Sequence, residues 1–328
     1  MRHPGVRPVL PEFFLLTGPL GSGKTTLLSD HLSLGVKPDT GVIINDAGEV
    51  NVDGAIISSD HRDLALATVG DGCICCSMGN SLQDGIDALL RIRAERGLGP
   101  LRRIILETSG LAEPGPIVRA LRQVRQMAFN LRIVTTFDAT QPTAGDNFLP
   151  HYAAQLAAAQ TIVITKLDAL PAGRRDQSAS AARDFNPIAG MLVAPRREER
   201  ARLAFAEGTV QAASPSSLFS ADSPGASRIT VALARWTPAA SWEAIGEWIE
   251  NVAGYLGPRL LRLKGMVKPA GFLEPLLINA VGGAFSSPRK IKCPGDQALG
   301  LTMILRDVPK AELIDAGGST AVPTLSFR

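Results

Sequence analysis

The sequence predicts an α/β domain built on a mostly parallel sheet, followed by a smaller α+β domain. Three observations carry that expectation. A glycine-rich run, Gly18-Pro19-Leu20-Gly21-Ser22-Gly23-Lys24-Thr25, lies between a short apolar segment and an apolar-periodic one. Short apolar runs then alternate with helical stripes as far as Leu170. Beyond Leu170 the texture changes, and a Ser-, Ala- and Pro-rich stretch over 212–227 reads as a linker between domains at 1–211 and 228–328. A length of 328 residues suits two domains.

The first element is a buried strand over 12–17, and Thr26, Leu27, Leu28 and Leu32 open a helix after the glycines. Two glycines with four residues between them, Gly18 and Gly23, followed by Lys-Thr and placed between strand and helix, form a P-loop. Glycine lets the backbone curl so that successive N–H groups face a phosphate, and the helix N-terminus adds its positive end. Gly18, Gly21, Ser22, Gly23, Lys24, Thr25 and Thr26 are therefore the expected phosphate contacts. Lys24 would reach the β- and γ-phosphates, and the Thr25 hydroxyl would ligate Mg²⁺.

A second strand over 41–44 leads into a polar segment over 45–54 that carries Asp46, Glu49 and Asp53. Alone it reads as a solvated turn. Placed just after the P-loop helix, it is where nucleotide switches sense Mg²⁺ and the γ-phosphate. A third strand over 64–69 precedes Cys73, Cys75 and Cys76, and a helix begins near Asn80 with Leu82, Ile86, Leu89 and Leu90 as its stripe. Three thiols within four residues cannot make a disulfide framework. They read as a metal site, with a redox pair as the rival. If these strands run parallel, thiol loop and P-loop share one sheet edge.

The run over 103–106 is a buried strand closed by Glu107, a carboxylate placed to hold Mg²⁺, and Gly110 could bring its N–H to the γ-phosphate. Pro114 and Pro116 suit the first turn of a helix whose face is Ile117, Leu121, Val124 and Met127. A strand over 131–137 leads to Asp138, and an alanine-rich helix covers 153–159. The next strand, 161–164, ends in Thr165-Lys166-Leu167-Asp168. Asp168 would accept from guanine N1–H and its exocyclic amine while the Lys166 stem covers the base. Adenine lacks that donor pair. A helix over 174–184 follows, and the charge run over 195–202 reads as a solvated helix face.

In the second domain, strands are expected over 229–236, 260–267, 272–281 and 299–305. Trp242, Ile245, Ile249, Val252 and Leu256 recur at helical spacing. No catalytic cluster is visible there, and Cys293 reads as a bystander thiol. The apolar fraction of 45% supports a packed core, and a net charge of +3 gives no reason to expect nucleic acid or an anionic membrane as partner. No apolar run reaches the length of a membrane span, and the first eleven residues lack an apolar signal core, so a cytoplasmic protein is expected.

Taken together, these residues resemble the CobW-type GTPases, a branch of P-loop proteins related to the UreG and HypB metal-insertion GTPases. The resemblance rests on the P-loop, the segment 45–53, Gly72-Cys73-Ile74-Cys75-Cys76-Ser77, the run from Glu107-Thr108-Ser109-Gly110 to Pro114, and Thr165-Lys166-Leu167-Asp168. It is strong over 13–170 and visible over 255–307, around Arg259-Leu260-Leu261-Arg262-Leu263-Lys264-Gly265. It implies a cytoplasmic GTPase that binds a transition metal, Zn²⁺ or Co²⁺, at Cys73, Cys75 and Cys76 and helps deliver it to a client metalloprotein. Asp46 stands where the family usually has Glu, Ala47 where it has an aromatic, Asp71 where it often has Asn, and Thr165 where it has Asn. No histidine lies in the second domain.

The expected reaction is hydrolysis of GTP to GDP and phosphate. Lys24 and Mg²⁺ would neutralise charge, Thr25 and Glu107 would hold Mg²⁺, and Asp46 or Glu49 would order the switch or position water. A homodimer is compatible with this reading. Two rivals remain: a P-loop kinase for a small metabolite, with Arg174 and Arg175 closing over ATP, and a metal buffer or sensor whose nucleotide only switches it.

Overall fold

The computed structural model describes residues 10–35, 37–45, 65–69, 80–124, 128–140, 150–206, 228–291, 299–318 and 322–328. In the first domain these form β1 (Glu12–Thr17), α1 (Lys24–Ser33), β2 (Thr40–Asn45), β3 (Ala65–Val69), α2 (Asn80–Glu95), β4 (Arg103–Glu107), α3 (Pro114–Gln123), β5 (Asn130–Asp138), α4 (Pro150–Ala158), β6 (Thr161–Thr165), α5 (Ala172–Phe185), β7 (Gly190–Leu192) and α6 (Arg197–Ala204). The strands make one parallel sheet in the order β3-β2-β4-β1-β5-β6-β7. In register, Leu15 of β1 sits between Leu106 of β4 and Ile133 of β5.

Both faces of this sheet are covered, which is why its strands read as unbroken apolar runs rather than alternating ones. Phe13, Leu15, Ile43, Ile104, Leu106 and Ile133 pack on one face with Leu82, Ile86 and Leu89 of α2 and Ile117 and Leu121 of α3. Phe14, Leu16, Val42, Ile44, Ile105 and Val134 pack on the other with Leu27, Leu28 and Leu32 of α1 and Ala201 and Ala204 of α6. Because all strands run the same way, the carboxyl ends of β1 to β6 open onto one edge.

The second domain contains β8 (Ile229–Arg235), α7 (Trp242–Leu256), β9 (Leu260–Val267), β10 (Leu276–Val281), β11 (Ala284–Phe285), β12 (Arg289–Lys290), β13 (Gly300–Arg306), α8 (Lys310–Ala316) and β14 (Thr324–Phe327). The sheet order is β11-β10-β9-β13-β8-β14, with β12 on β10, and all these pairings are antiparallel. One face is covered by α7 and α8 through Ile245, Trp248, Ile249, Val252, Leu256 and Leu313. The other meets the first domain. Ile229, Val231, Leu261 and Ile304 share a cluster with Tyr152 and Leu156 of α4, and Val281 and Ala284 join the cluster of α3.

The structure corrects several expectations. The 272–281 strand begins only at Leu276. Helix α3 ends at Gln123, with Val124 as its cap, and Met127 lies outside the described residues. The 195–202 run is not a solvated face throughout, because Arg200 and Ala201 are buried. The short elements β7, β11, β12, α8 and β14 were not expected at all. The linker over 212–227 and Cys293 lie outside the described residues.

Candidate nucleotide and metal-ion site

Between β1 and α1 the chain turns through backbone that glycine alone adopts at ease. Gly18 has φ +142°, and a side chain there would meet Thr136 Oγ1 at 2.2 Å. Ser22 Oγ donates to Pro19 O (2.6 Å) and lies 2.7 Å from Thr136 Oγ1 on β5. Lys24 is buried, and its Nζ donates to Gly18 O (2.9 Å) and Pro19 O (3.0 Å) across the mouth of the loop. Thr26 is exposed on the first turn of α1.

Glu107 ends β4 directly beside Leu16 of β1. Thr25 Oγ1 donates to Glu107 Oε1 at 2.6 Å. These two hard oxygen donors, side by side at the sheet edge, suit Mg²⁺ rather than a soft metal. The turn after β4 presses on the P-loop: a side chain at Gly110 would lie 2.4 Å from Leu20 N and 2.7 Å from Leu20 Cα. Because those are backbone atoms, the approach requires glycine. Gln155, fully buried on α4, anchors this turn by donating from Nε2 to Gly110 O and Ala112 O, both at 3.0 Å.

The tetrad after β6 is tied to the same loop. Thr165 Oγ1 lies 2.7 Å from Ser22 O and 3.0 Å from Phe137 O. Threonine at this position thus reaches the P-loop backbone directly. Lys166 has a left-handed backbone (φ 54°), and its Nζ donates to Asp138 Oδ2 at 2.6 Å. Burial alone would raise the Asp138 carboxyl, but hydrogen bonds from Lys166 and Thr140 outweigh it and hold the group below its ordinary range. The Asp168 side chain is 70% exposed, available to a ligand, with Arg200 Nη2 3.7 Å away. Arg200 is itself fixed by donating to Ala194 O (2.7 Å) and Pro195 O (3.0 Å).

The structure thus brings together Gly18, Gly21, Ser22, Gly23, Lys24, Thr25, Glu107, Gly110, Thr165, Lys166 and Asp168 at one edge of the sheet. Asp46, Glu49, Cys73, Cys75 and Cys76 lie outside the described residues. Asn45 and Val69, paired at the ends of β2 and β3, lead into those segments from the Glu107 edge. Sequence reasoning missed Thr136, Asp138, Gln155 and Arg200. Asp138 carried a visible signal, a carboxylate closing a strand. Gln155 carried another, a polar residue on the buried side of an alanine-rich helix.

This arrangement defines a P-loop nucleotide-binding domain with a Thr–carboxylate pair beside the loop and an exposed carboxylate, Asp168, after β6. The CobW/HypB/UreG nucleotide-binding domain family matches residues 12–193, and the C-terminal domain of the cobalamin synthesis protein cobW matches 233–316. The chain belongs to the CobW/HypB/UreG family. It is 35% identical over 157 residues to the zinc chaperone YjiA of Escherichia coli strain K12, covering 47% of this chain and 48% of that protein. It is also 35% identical over 112 residues to the zinc-regulated GTPase metalloprotein activator 1 of Saccharomyces cerevisiae, covering 33% of this chain and 25% of that protein. The chain spans about half the length, or less, of these curated relatives. The crystal structure of Zn(II)-bound YjiA GTPase from E. coli superposes with a TM-score of 0.65 at 21% identity, over 94% of this chain and 98% of that one, so the fold is shared across both domains.

Proposed function

We propose that this chain hydrolyses GTP to GDP and phosphate, and uses the cycle to bind a transition metal of the zinc or cobalt class and pass it to a client metalloprotein. The observation that carries the reading is the Thr25–Glu107 pair at 2.6 Å, on the same sheet edge as a closed P-loop and the Thr165–Asp168 corner. The family supports it, as do relatives named as zinc chaperones and as a zinc-regulated GTPase.

In this reading Lys24 exchanges Gly18 O and Pro19 O for β- and γ-phosphate oxygens. Thr25 and Glu107 would hold Mg²⁺, which when bound neutralises charge building on the phosphates. Gly110 brings its N–H against the γ-phosphate on a turn that Gln155 keeps in place. Asp168 accepts from guanine, and Asp138 keeps the Lys166 stem over the base. Asp46 or Glu49 orders the attacking water. Cys73, Cys75 and Cys76 supply thiolates suited to Zn²⁺ or Co²⁺.

Turnover with GTP and ATP, in wild type and variants, tests the nucleotide half of this reading. GTP should be strongly preferred, Lys24→Ala should lose nearly all turnover, and Asp168→Asn should shift preference toward xanthosine nucleotides. Equal use of ATP and GTP by the wild type, or undiminished turnover by Lys24→Ala, would overturn it.

A further inference from the structure

The domain seam holds two cations with no counter-charge among the described residues. Arg262 on β9 pairs across the sheet with Val281 on β10 and Ile304 on β13. Directly paired residues share a face. Val281 and Ile304 both pack into clusters of the first domain, so Arg262 sits on the domain-facing side. It is 1% exposed. Its Nη1 donates to Ala280 O at 3.3 Å, and its Nε has no hydrogen-bond partner among the described residues. Lys264, two residues on and so on the same face, pairs with Asn279 and Thr302 and is only partly covered.

An arginine carries five N–H donors and does not discharge at neutral pH, so burying it with one long hydrogen bond and no carboxylate is costly. Natural interiors pair such charges. Burial, and then the neighbouring Arg262, push the Lys264 ammonium down to about 8, and burial brings Arg262 down to about 10; among the described residues no carboxylate opposes either shift. A buried and a partly covered cation on one strand, flanked by an amide and a hydroxyl, make an environment that a negative group would relieve.

We propose that Arg262 and Lys264 form a binding site for a small oxyanion, phosphate or carboxylate, at the seam between the two domains. Arg262 supplies the deep planar donor set, and Lys264 supplies the charge nearer solvent through which the anion enters. Asn279 and Thr302 are placed to complete the hydrogen bonding. This site is separate from the P-loop, and it does not depend on the reaction proposed above.

The test is thermal unfolding of the full chain in phosphate, in acetate and in chloride at matched ionic strength, comparing wild type with Lys264→Met and Lys264→Arg. The P-loop also takes phosphate, but its contribution is common to all three proteins. Phosphate or acetate, once well above its Kd, should raise the wild-type Tm by about 2–4 °C more than that of Lys264→Met, with Lys264→Arg behaving like wild type. A response to acetate as large as that to phosphate assigns a carboxylate ligand; a response to phosphate alone assigns a phosphate. Equal shifts in wild type and Lys264→Met would overturn the site. If Lys264→Met does not fold, the Lys264 pKa in wild type, followed by NMR, should rise in whichever anion binds; no change in either overturns the site as well.

Discussion

Asp138 and Lys166 show how a single contact fixes the loop after β6, where the proposed function places the guanine base. Lys166 holds a left-handed backbone, and its ammonium lies on a buried carboxylate at 2.6 Å. Replacing Asp138 by Asn keeps the shape and removes the charge. GTP affinity, measured with a fluorescent analogue, should fall several-fold with little loss of stability, because Lys166 is 42% exposed and its pair is partly screened by water. Thr165, Lys166 and Asp168 were legible in the sequence, because a tetrad at a strand end announces itself. Asp138, Gln155 and Arg200 were not assigned roles. Each works through a partner distant in the chain, and only strand order reveals which segments become neighbours.

At the scale of elements, helix α1 carries a second test. His31 sits in its last turn with its ring 4.4 Å from that of Phe205. Burial first, then the charge of Arg103, lowers its pKa from 6.5 to about 4. The folded value lies below the unfolded one, so the unfolded chain takes up the proton first. The stabilising contribution is complete above about pH 6.5, shrinks as pH falls, and is gone below about pH 4. The loss amounts to roughly 3 kcal/mol at most. Urea unfolding across this window should show a steeper decline for wild type than for His31→Leu; parallel curves would contradict it. The core strands of both sheets and α7 were legible because each is an apolar run or a stripe bounded by turn residues. The three-residue β7, the two-residue β11 and β12, and the terminal β14 were not, since such short segments carry no period and exist only by pairing with a longer neighbour.

At the scale of the whole molecule, the turn between β10 and β11 rests on the helix that follows Glu107. A side chain at Gly282 would lie 2.9 Å from Gly115 Cα, and Arg119 Nη1 donates to Gly282 O at 2.7 Å. Gly282 also has φ +51°, so Gly282→Val meets both a strained backbone and an unyielding neighbour. It should cost about 2–3 kcal/mol in thermal or urea unfolding; a loss under about 0.5 kcal/mol, the range of a surface substitution, would contradict the contact. The sequence told of two domains through a change in composition, but it held no sign that they share apolar clusters, because the surfaces that meet are far apart in the chain.

The proposed function couples nucleotide binding to transition-metal binding in one switch. A Zn²⁺ competition titration with GDP and with a non-hydrolysable GTP analogue, on wild type and on Cys75→Ser combined with Cys76→Ser, tests it most directly. Zn²⁺ should bind more tightly in the GTP-analogue state by a factor of about 5–150, and by linkage nucleotide affinity should gain equally when Zn²⁺ is present. The double variant should lose that binding. Equal Zn²⁺ affinity in both nucleotide states, or undiminished affinity without the two thiols, would contradict it.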